Sequence, residues 1–68
     1  MKELAKCFGA NLRGKRRDKK VFQDQLALLA DIVRSCIGRI ERGEVNITLE
    51  KAYQLAQVLE CDVRELLP

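Results

Sequence analysis

The chain has no histidine and no tryptophan, a single proline at its last position, and only two phenylalanines and one tyrosine. Without histidine it lacks the side chain most often used as a general base and as a nitrogen ligand for metals. Its three cysteines, Cys7, Cys36 and Cys61, are odd in number and widely spaced, with no CxxC pair. That spacing argues against a zinc site and against a disulfide framework, so the thiols read as small apolar residues in a reducing cytosol. No glycine-rich phosphate loop is present, and no nucleophile stands at a plausible spacing from a base, which makes an enzyme the weakest reading. No cofactor and no metal are expected. The longest apolar run lies within LALLA, residues 26 to 30, far below the roughly 20 residues a spanning helix needs. The N-terminus mixes Lys2, Glu3 and Lys6 into its apolar residues, unlike a signal peptide. The expectation is a cytoplasmic protein with no membrane partner.

What the sequence does have is positive charge at one end. Residues 1 to 20 hold eight Lys/Arg against Glu3 and Asp18, whereas residues 21 to 68 hold five against eight acids. A one-sided basic surface suits a polyanion such as nucleic acid, or an anionic membrane; the plain alternative is a solvated basic helix. Sixty-eight residues make one small domain, 1–68, too small for an ordinary buried substrate cleft. Chains of this size often gain stability from a partner subunit. With nothing after residue 68, no ligand-sensing domain and no small-molecule effector are expected.

Periodicity predicts short helices and no strand. Residues 3 to about 18 carry a stripe of Leu4, Ala5, Phe8 and Leu12, joined at the basic end by Lys15 and Arg16. Gly9 and Gly14 weaken that helix by roughly 1 kcal/mol each relative to Ala. Residues 23 to 30 are expected to pack through Leu26, Leu29 and Ala30. A third helix starts at 33 or 34 and ends at 42, stopped by Gly43, which suits the left-handed position after a helix end. Thr48 is placed to cap a fourth, 49 to 59, with Leu49, Ala52, Tyr53, Ala56 and Leu59 inward. Asp62 and Glu65 have capping-box spacing before a last turn containing Val63, Leu66 and Leu67.

The stretch VRSCIGRIERGE, residues 33 to 44, divides sharply when wound into a helix. Val33, Cys36, Ile37 and Ile40 fall on one side; Arg34, Ser35, Gly38, Arg39 and Arg42 fall on the other. Residues 23 to 42 have the length of a helix-turn-helix, with Leu26, Ala30, Ile32, Ile37 and Ile40 between the helices and Ala27 at their crossing. The exposed second helix then suits the major groove of B-DNA, where base edges carry a distinct donor and acceptor pattern. Arg34, Ser35 and Arg39 would face bases, and Gly38 would allow close approach. An ordinary surface helix of a bundle is the alternative.

Taken together, FGANLR (8 to 13), QDQLA (23 to 27), IGRIERGEVNITLEKAYQLAQVLE (37 to 60) and the closing VRELL resemble the Cro/C1-type (XRE) helix-turn-helix domain. Phage repressors, restriction–modification controller proteins and many small bacterial regulators carry it. The resemblance covers about residues 8 to 67 and implies an all-α, lambda-repressor-like fold of five short helices, the third reading the major groove. It implies base contacts from Arg34, Ser35 and Arg39, and backbone contacts from Gln23, Arg42 and Asn46. It also implies a partly buried ion pair between Arg16 and Glu41, and Glu41 does flank the apolar face rather than oppose it. Three positions depart from the family pattern: Phe22 before the helix-two Gln, Asp31 in the turn, and Val33 at the start of helix three. Asp tolerates a left-handed turn, but Phe and Val offer no oxygen to cap free N–H groups. Val21 and Leu26 can still form a hydrophobic staple across Phe22.

The function expected is a transcription regulator, a repressor or autoregulator, that binds double-stranded DNA sequence-specifically. One short recognition helix reads only a few base pairs, so a homodimer on a palindromic operator is the physical expectation. Val58, Cys61, Leu66 and Leu67 are the candidate dimer contacts. Other readings are a controller that both activates and represses, an antitoxin-type partner of a toxin, and an interaction module that does not bind DNA.

Overall fold

The computed structural model describes residues 2–68, with the side chain of Lys2 left out of the description. Its elements are α1 (Lys2–Asp18), α2 (Gln23–Ala30), α3 (Arg34–Glu41), α4 (Leu49–Val58) and a closing 3-10 turn (Val63–Glu65). The fold is all-helical among the described residues, with four α-helices rather than five; the fifth expected element is the 3-10 turn. Expected bounds hold to within a residue or so: α3 stops at Glu41, with Arg42 its C-cap, and α4 stops at Val58, with Leu59 its C-cap.

Each helix contributes one arc to a shared core. Phe8 and Leu12 come from α1, Leu26, Ala27 and Ala30 from α2, and Ile37 and Ile40 from α3. Ala52, Leu55, Ala56 and Leu59 come from the α4 segment, and Ile32, Val63 and Leu66 complete the cluster. α3 packs between α1 and α2, while α4 packs on α2 and the closing turn.

Several inward assignments are corrected. Leu29 is 64% exposed because the buried arc of α2 is Leu26, Ala27 and Ala30, and position 29 points away from it. On α4, apolar residues surround most of the axis, so periodicity alone leaves its rotation open. Contact with α2, including a 2.5 Å hydrogen bond from Gln54 Nε2 to the Ala30 carbonyl, turns Leu55 inward. Leu49 and Tyr53 are left 71% and 61% exposed. Leu4 is half exposed, and Leu67 is only partly covered.

Helix ends follow the local chemistry. Thr48 Oγ1 accepts from the Lys51 N–H at 3.1 Å. Asp62 accepts from the Arg64 N–H at 2.9 Å while Glu65 accepts from the Asp62 N–H at 3.0 Å, a reciprocal cap. The hydrogen bond from the Arg64 side chain, and then that from its N–H, hold the Asp62 carboxyl down to about 2. Neither Phe22 nor Val33 makes a side-chain cap. Gln25 supplies half a box at α2, accepting from the Phe22 N–H at 2.8 Å. The α1–α2 connection, the helix-turn-helix turn and the α4 exit each pass through a left-handed residue that is not glycine: Lys20, Asp31 and Glu60, with φ of 59, 56 and 53°.

Two glycines are required by close approach. A Cβ on Gly9 would lie 2.3 Å from the Ile40 carbonyl oxygen and 2.6 Å from that of Glu41, so α1 can meet the end of α3 only through a bare backbone. Gly43 has φ +74°, and a Cβ there would come within 2.5 Å of Lys6. Gly14 has open space around it. We therefore expect opposite effects from one substitution. Gly14→Ala should stabilise the fold by about 1 kcal/mol through helix propensity. Gly9→Ala should destabilise it despite the same propensity gain, because rigid backbone must move. Denaturant midpoints of the two variants check this; equal shifts would show that α1 does not press on α3.

Candidate nucleic-acid interface

The outer face of α3 carries the residues expected to meet DNA. Arg34, Ser35 and Arg39 are exposed along it, and Arg42 is exposed at its C-cap. Gly38 lies among them as the floor of a groove walled by Arg13, Arg16, Arg17, Phe22, Gln23, Asp24, Arg34, Glu41 and Arg42. A Cβ on Gly38 would meet only the flexible ends of Arg42, at 3.1 Å, and Gln23, at 4.0 Å. The fold itself therefore has no strong need for glycine there. Asn46, in the α3–α4 connection, does not join this groove. It lines a second one with Lys6, Arg42, Gly43 and Glu44, so Arg42 stands between the two.

Below the groove lies the charged pair. Arg16 Nε donates to Glu41 Oε2 at 2.6 Å and Nη2 to Oε1 at 3.2 Å, with both residues buried. Two further bonds join the pair: Arg16 Nη1 reaches the Val21 carbonyl at 2.9 Å, and Gln23 Nε2 donates to Glu41 Oε1 at 2.9 Å. Gln23 is thus half-buried and oriented by Glu41 at the edge of the groove. No buried side-chain nitrogen or oxygen is left without a partner among the described residues.

Each of the three arginines on the α3 face also has an acidic neighbour from this chain. Arg34 pairs with Asp24. Glu44 bridges the other two, with Oε2 at 2.5 Å from Arg42 Nε and Oε1 at 3.8 Å from Arg39 Nε. The Arg42 hydrogen bond holds the Glu44 carboxyl below its ordinary value and the Arg42 guanidinium above its own.

Of the dimer candidates, Leu66 is corrected: it is fully buried in the core of the chain, where its carbonyl accepts from Asn11 Nδ2 at 3.1 Å. Val58 and Cys61 are half-buried against the core, and Leu67 is 38% exposed. Sequence reasoning missed Arg13 and Arg17 as groove walls, although their i, i+4 spacing in a basic run was a signal. It also missed Asp24 and Glu44, which the fold brings to the arginines.

A short helix laid across a second at a tight turn, with its polar face free and basic, defines a helix-turn-helix DNA-binding regulator. Residues 12–66 match the helix-turn-helix family HTH_3, and the chain belongs to that family, in agreement with the Cro/C1-type resemblance. It is similar to the control protein C.SmaI of Serratia marcescens, 34% identical over 65 residues that cover 96% of this chain and 77% of that one. The crystal structure of the restriction–modification controller protein C.AhdI from Aeromonas hydrophila is 38% identical, with a TM-score of 0.89, covering 93% of this chain and 96% of that one. Hydroxypropylphosphonic acid epoxidase from S. wedmorenis carries a similar unit at 26% identity and a TM-score of 0.93, but the match covers only 36% of that enzyme. No described helix is long and apolar enough to cross a membrane.

The pair generates a stability prediction. Removing one partner of a buried ion pair costs about 3 to 5 kcal/mol, against about 0 to 1 for an exposed pair. Glu41→Ala strands the Arg16 guanidinium and the Gln23 amide together, so we expect a loss at the upper end or failure to fold at 37 °C. A thermal midpoint within a degree or two of the parent would show that solvent already reaches the pair.

Proposed function

We propose that the protein is a cytoplasmic transcription regulator that binds a short palindromic operator as a homodimer, acting as a repressor or autoregulator. In this reading residues 1–68 act as a single DNA-binding domain with its helix-turn-helix at 23–42. The observation that carries it is the free outer face of α3, with Arg34, Ser35 and Arg39 exposed beside a groove rich in arginine. Arg34, Ser35 and Arg39 read base edges; Gln23, Arg42 and Asn46 hold the sugar–phosphate backbone. Arg13 and Arg17 add positive charge along the same path. Likeness to C.SmaI and C.AhdI favours a more particular version, a controller that both activates and represses depending on its amount. A reporter driven through the selected operator should then rise and fall as protein is added.

Selection of bound sequences from a random duplex pool tests the main reading, with two-fold symmetry expected in the winners. Each neutralised phosphate adds about −0.9 to the slope of log K against log salt, so the dimer should show a slope of magnitude above roughly 4. A slope near zero would remove the DNA reading altogether. Reading and holding should also separate. Arginine can bond guanine O6 and N7 together, worth about 1 to 3 kcal/mol. Arg39→Ala should relax preference at one position per half-site, whereas Arg42→Ala should weaken all duplexes alike and reduce the salt slope by about one for each phosphate no longer held. An unchanged sequence logo for Arg39→Ala would mean that Arg34 and Ser35 carry the readout.

A further inference from the structure

The start of α2 holds one half of a capping box and lacks the other. Gln25 Oε1 accepts from the Phe22 N–H at 2.8 Å, but the side chain that should return the bond is a phenyl ring. The Phe22 backbone is extended, with φ −80° and ψ 160°, as it is at a capping serine or threonine. Nor does the core use the ring instead. The preceding Val21 packs against the buried cluster, whereas Phe22 stays outside it and is 74% exposed. A large apolar side chain that neither caps nor packs adds little to the fold and displaces a residue that would. Local departures of this kind gather at sites of function.

The ring's place decides which function. It walls the arginine-rich groove beside Gln23, Arg13 and Arg17, and on its other side it walls a smaller hollow with Arg17 and Lys20. Positive charge on both sides favours a polyanion over an apolar protein face as what covers it. In helix-turn-helix docking the first helix of the pair crosses the sugar–phosphate backbone, and the second enters the major groove. The start of α2 therefore faces the outside of a strand, whose apolar surface is the deoxyribose between phosphates. We propose that Phe22 is a DNA-contacting residue that packs its ring on a deoxyribose of the strand whose phosphate Gln23 holds. The inference rests on the proposed DNA-binding function and deepens it. Phe22 and Gln23 are adjacent, with Cα atoms about 3.8 Å apart, so the sugar next to that phosphate is within reach of the ring. Every nucleotide carries this sugar, and the sugar carries no charge. The contact adds affinity that is blind to sequence and insensitive to salt, unlike the arginine contacts around it.

The experiment uses three variants and two probes: the duplex selected from the random pool, and a shuffled duplex of equal length and composition. Phe22→Ser supplies the missing acceptor, and Phe22→Leu keeps apolar area without one. Covering about half of the ring corresponds to about a tenfold gain in affinity. We therefore expect Phe22→Ser to bind both duplexes about tenfold more weakly, with a salt slope within about half a unit of the parent's. It should also unfold at a higher denaturant concentration. Phe22→Leu should lose about threefold or less on each probe. Because the chain has no tryptophan, Phe22→Trp places a single indole at the site. Its emission should shift to the blue, and its quenching by acrylamide should fall, when either duplex is added. Unchanged affinity for Phe22→Ser, or an indole indifferent to DNA, would overturn the contact and leave the DNA-binding reading standing. So would a loss confined to the selected duplex, the mark of a base contact, or a slope shallower by about one, the mark of a phosphate. A lower denaturant midpoint for Phe22→Ser would show that the ring serves the fold, and would overturn the contact as well. A parent protein that selects no duplex would remove both.

Discussion

The geometry of the DNA-directed face depends on one buried ion pair. Arg16 leaves α1 and binds Glu41 at the end of α3 through two nitrogens, while its third reaches the Val21 carbonyl in the α1–α2 connection. Glu41 in turn receives the Gln23 amide at the start of α2. One carboxylate and one guanidinium therefore set the relation of three helices at the place where their polar ends converge. Burying two charges is expensive, and a pair of this kind offsets that cost only when further hydrogen bonds serve the two groups. Here each guanidinium nitrogen of Arg16 and each carboxylate oxygen of Glu41 has at least one partner. What the arrangement supplies is position: the start of α2 and the exit of α3 are locked to the basic end of α1, and these three places frame the groove.

Close backbone contact complements the pair. α1 can reach Glu41 because Gly9 lets it rest on the carbonyls of Ile40 and Glu41, and the chain leaves α3 through Gly43 against Lys6. Apolar burial from Phe8, Leu12, Ile37 and Ile40 presses the same two helices together. Directional contacts fix where that nonspecific attraction stops. At the far side of α1, Asn11 and Lys15 hold the closing turn through the carbonyls of Leu66 and Leu67 and the Glu65 carboxylate.

Much of this was legible in the sequence, and the failures share a cause. The elements and their ends follow from local signals: Thr48, Asp62 with Glu65, and Gly43 each act on neighbours a few residues away. The division of α3 into an apolar and a basic face is likewise local. Rotation was legible only where polar residues clearly marked the outside. α3 has such a marking, Val33 excepted, which is its N-cap and stays 71% exposed; α4, apolar around most of its circumference, does not, and its inner residue Leu55 emerged only from contact with α2. Leu66 looked like surface because a chain end usually is, yet Asn11, 55 positions earlier, ties its carbonyl down. The same limit applies to the candidate site. Outward arginines can be counted in the sequence, but their acidic neighbours Asp24 and Glu44, and the use of Glu41 to orient Gln23, arise from turns that no periodicity describes.

Lys20, Asp31 and Glu60 place side chains in left-handed backbone, a conformation that disfavours L-residues by about 1 to 2 kcal/mol and that glycine adopts freely. Asp suits it better than Lys or Glu. The chain thus keeps joints that a one-residue change would relax, and stands closer to unfolding than its core requires. A difference of about 1 to 2 kcal/mol can alter steady-state abundance several-fold in a cell, because the unfolded fraction is what proteases remove. For a regulator whose occupancy of a site follows its own abundance, these three backbone angles bear on how many copies persist, and so on dosage rather than on recognition.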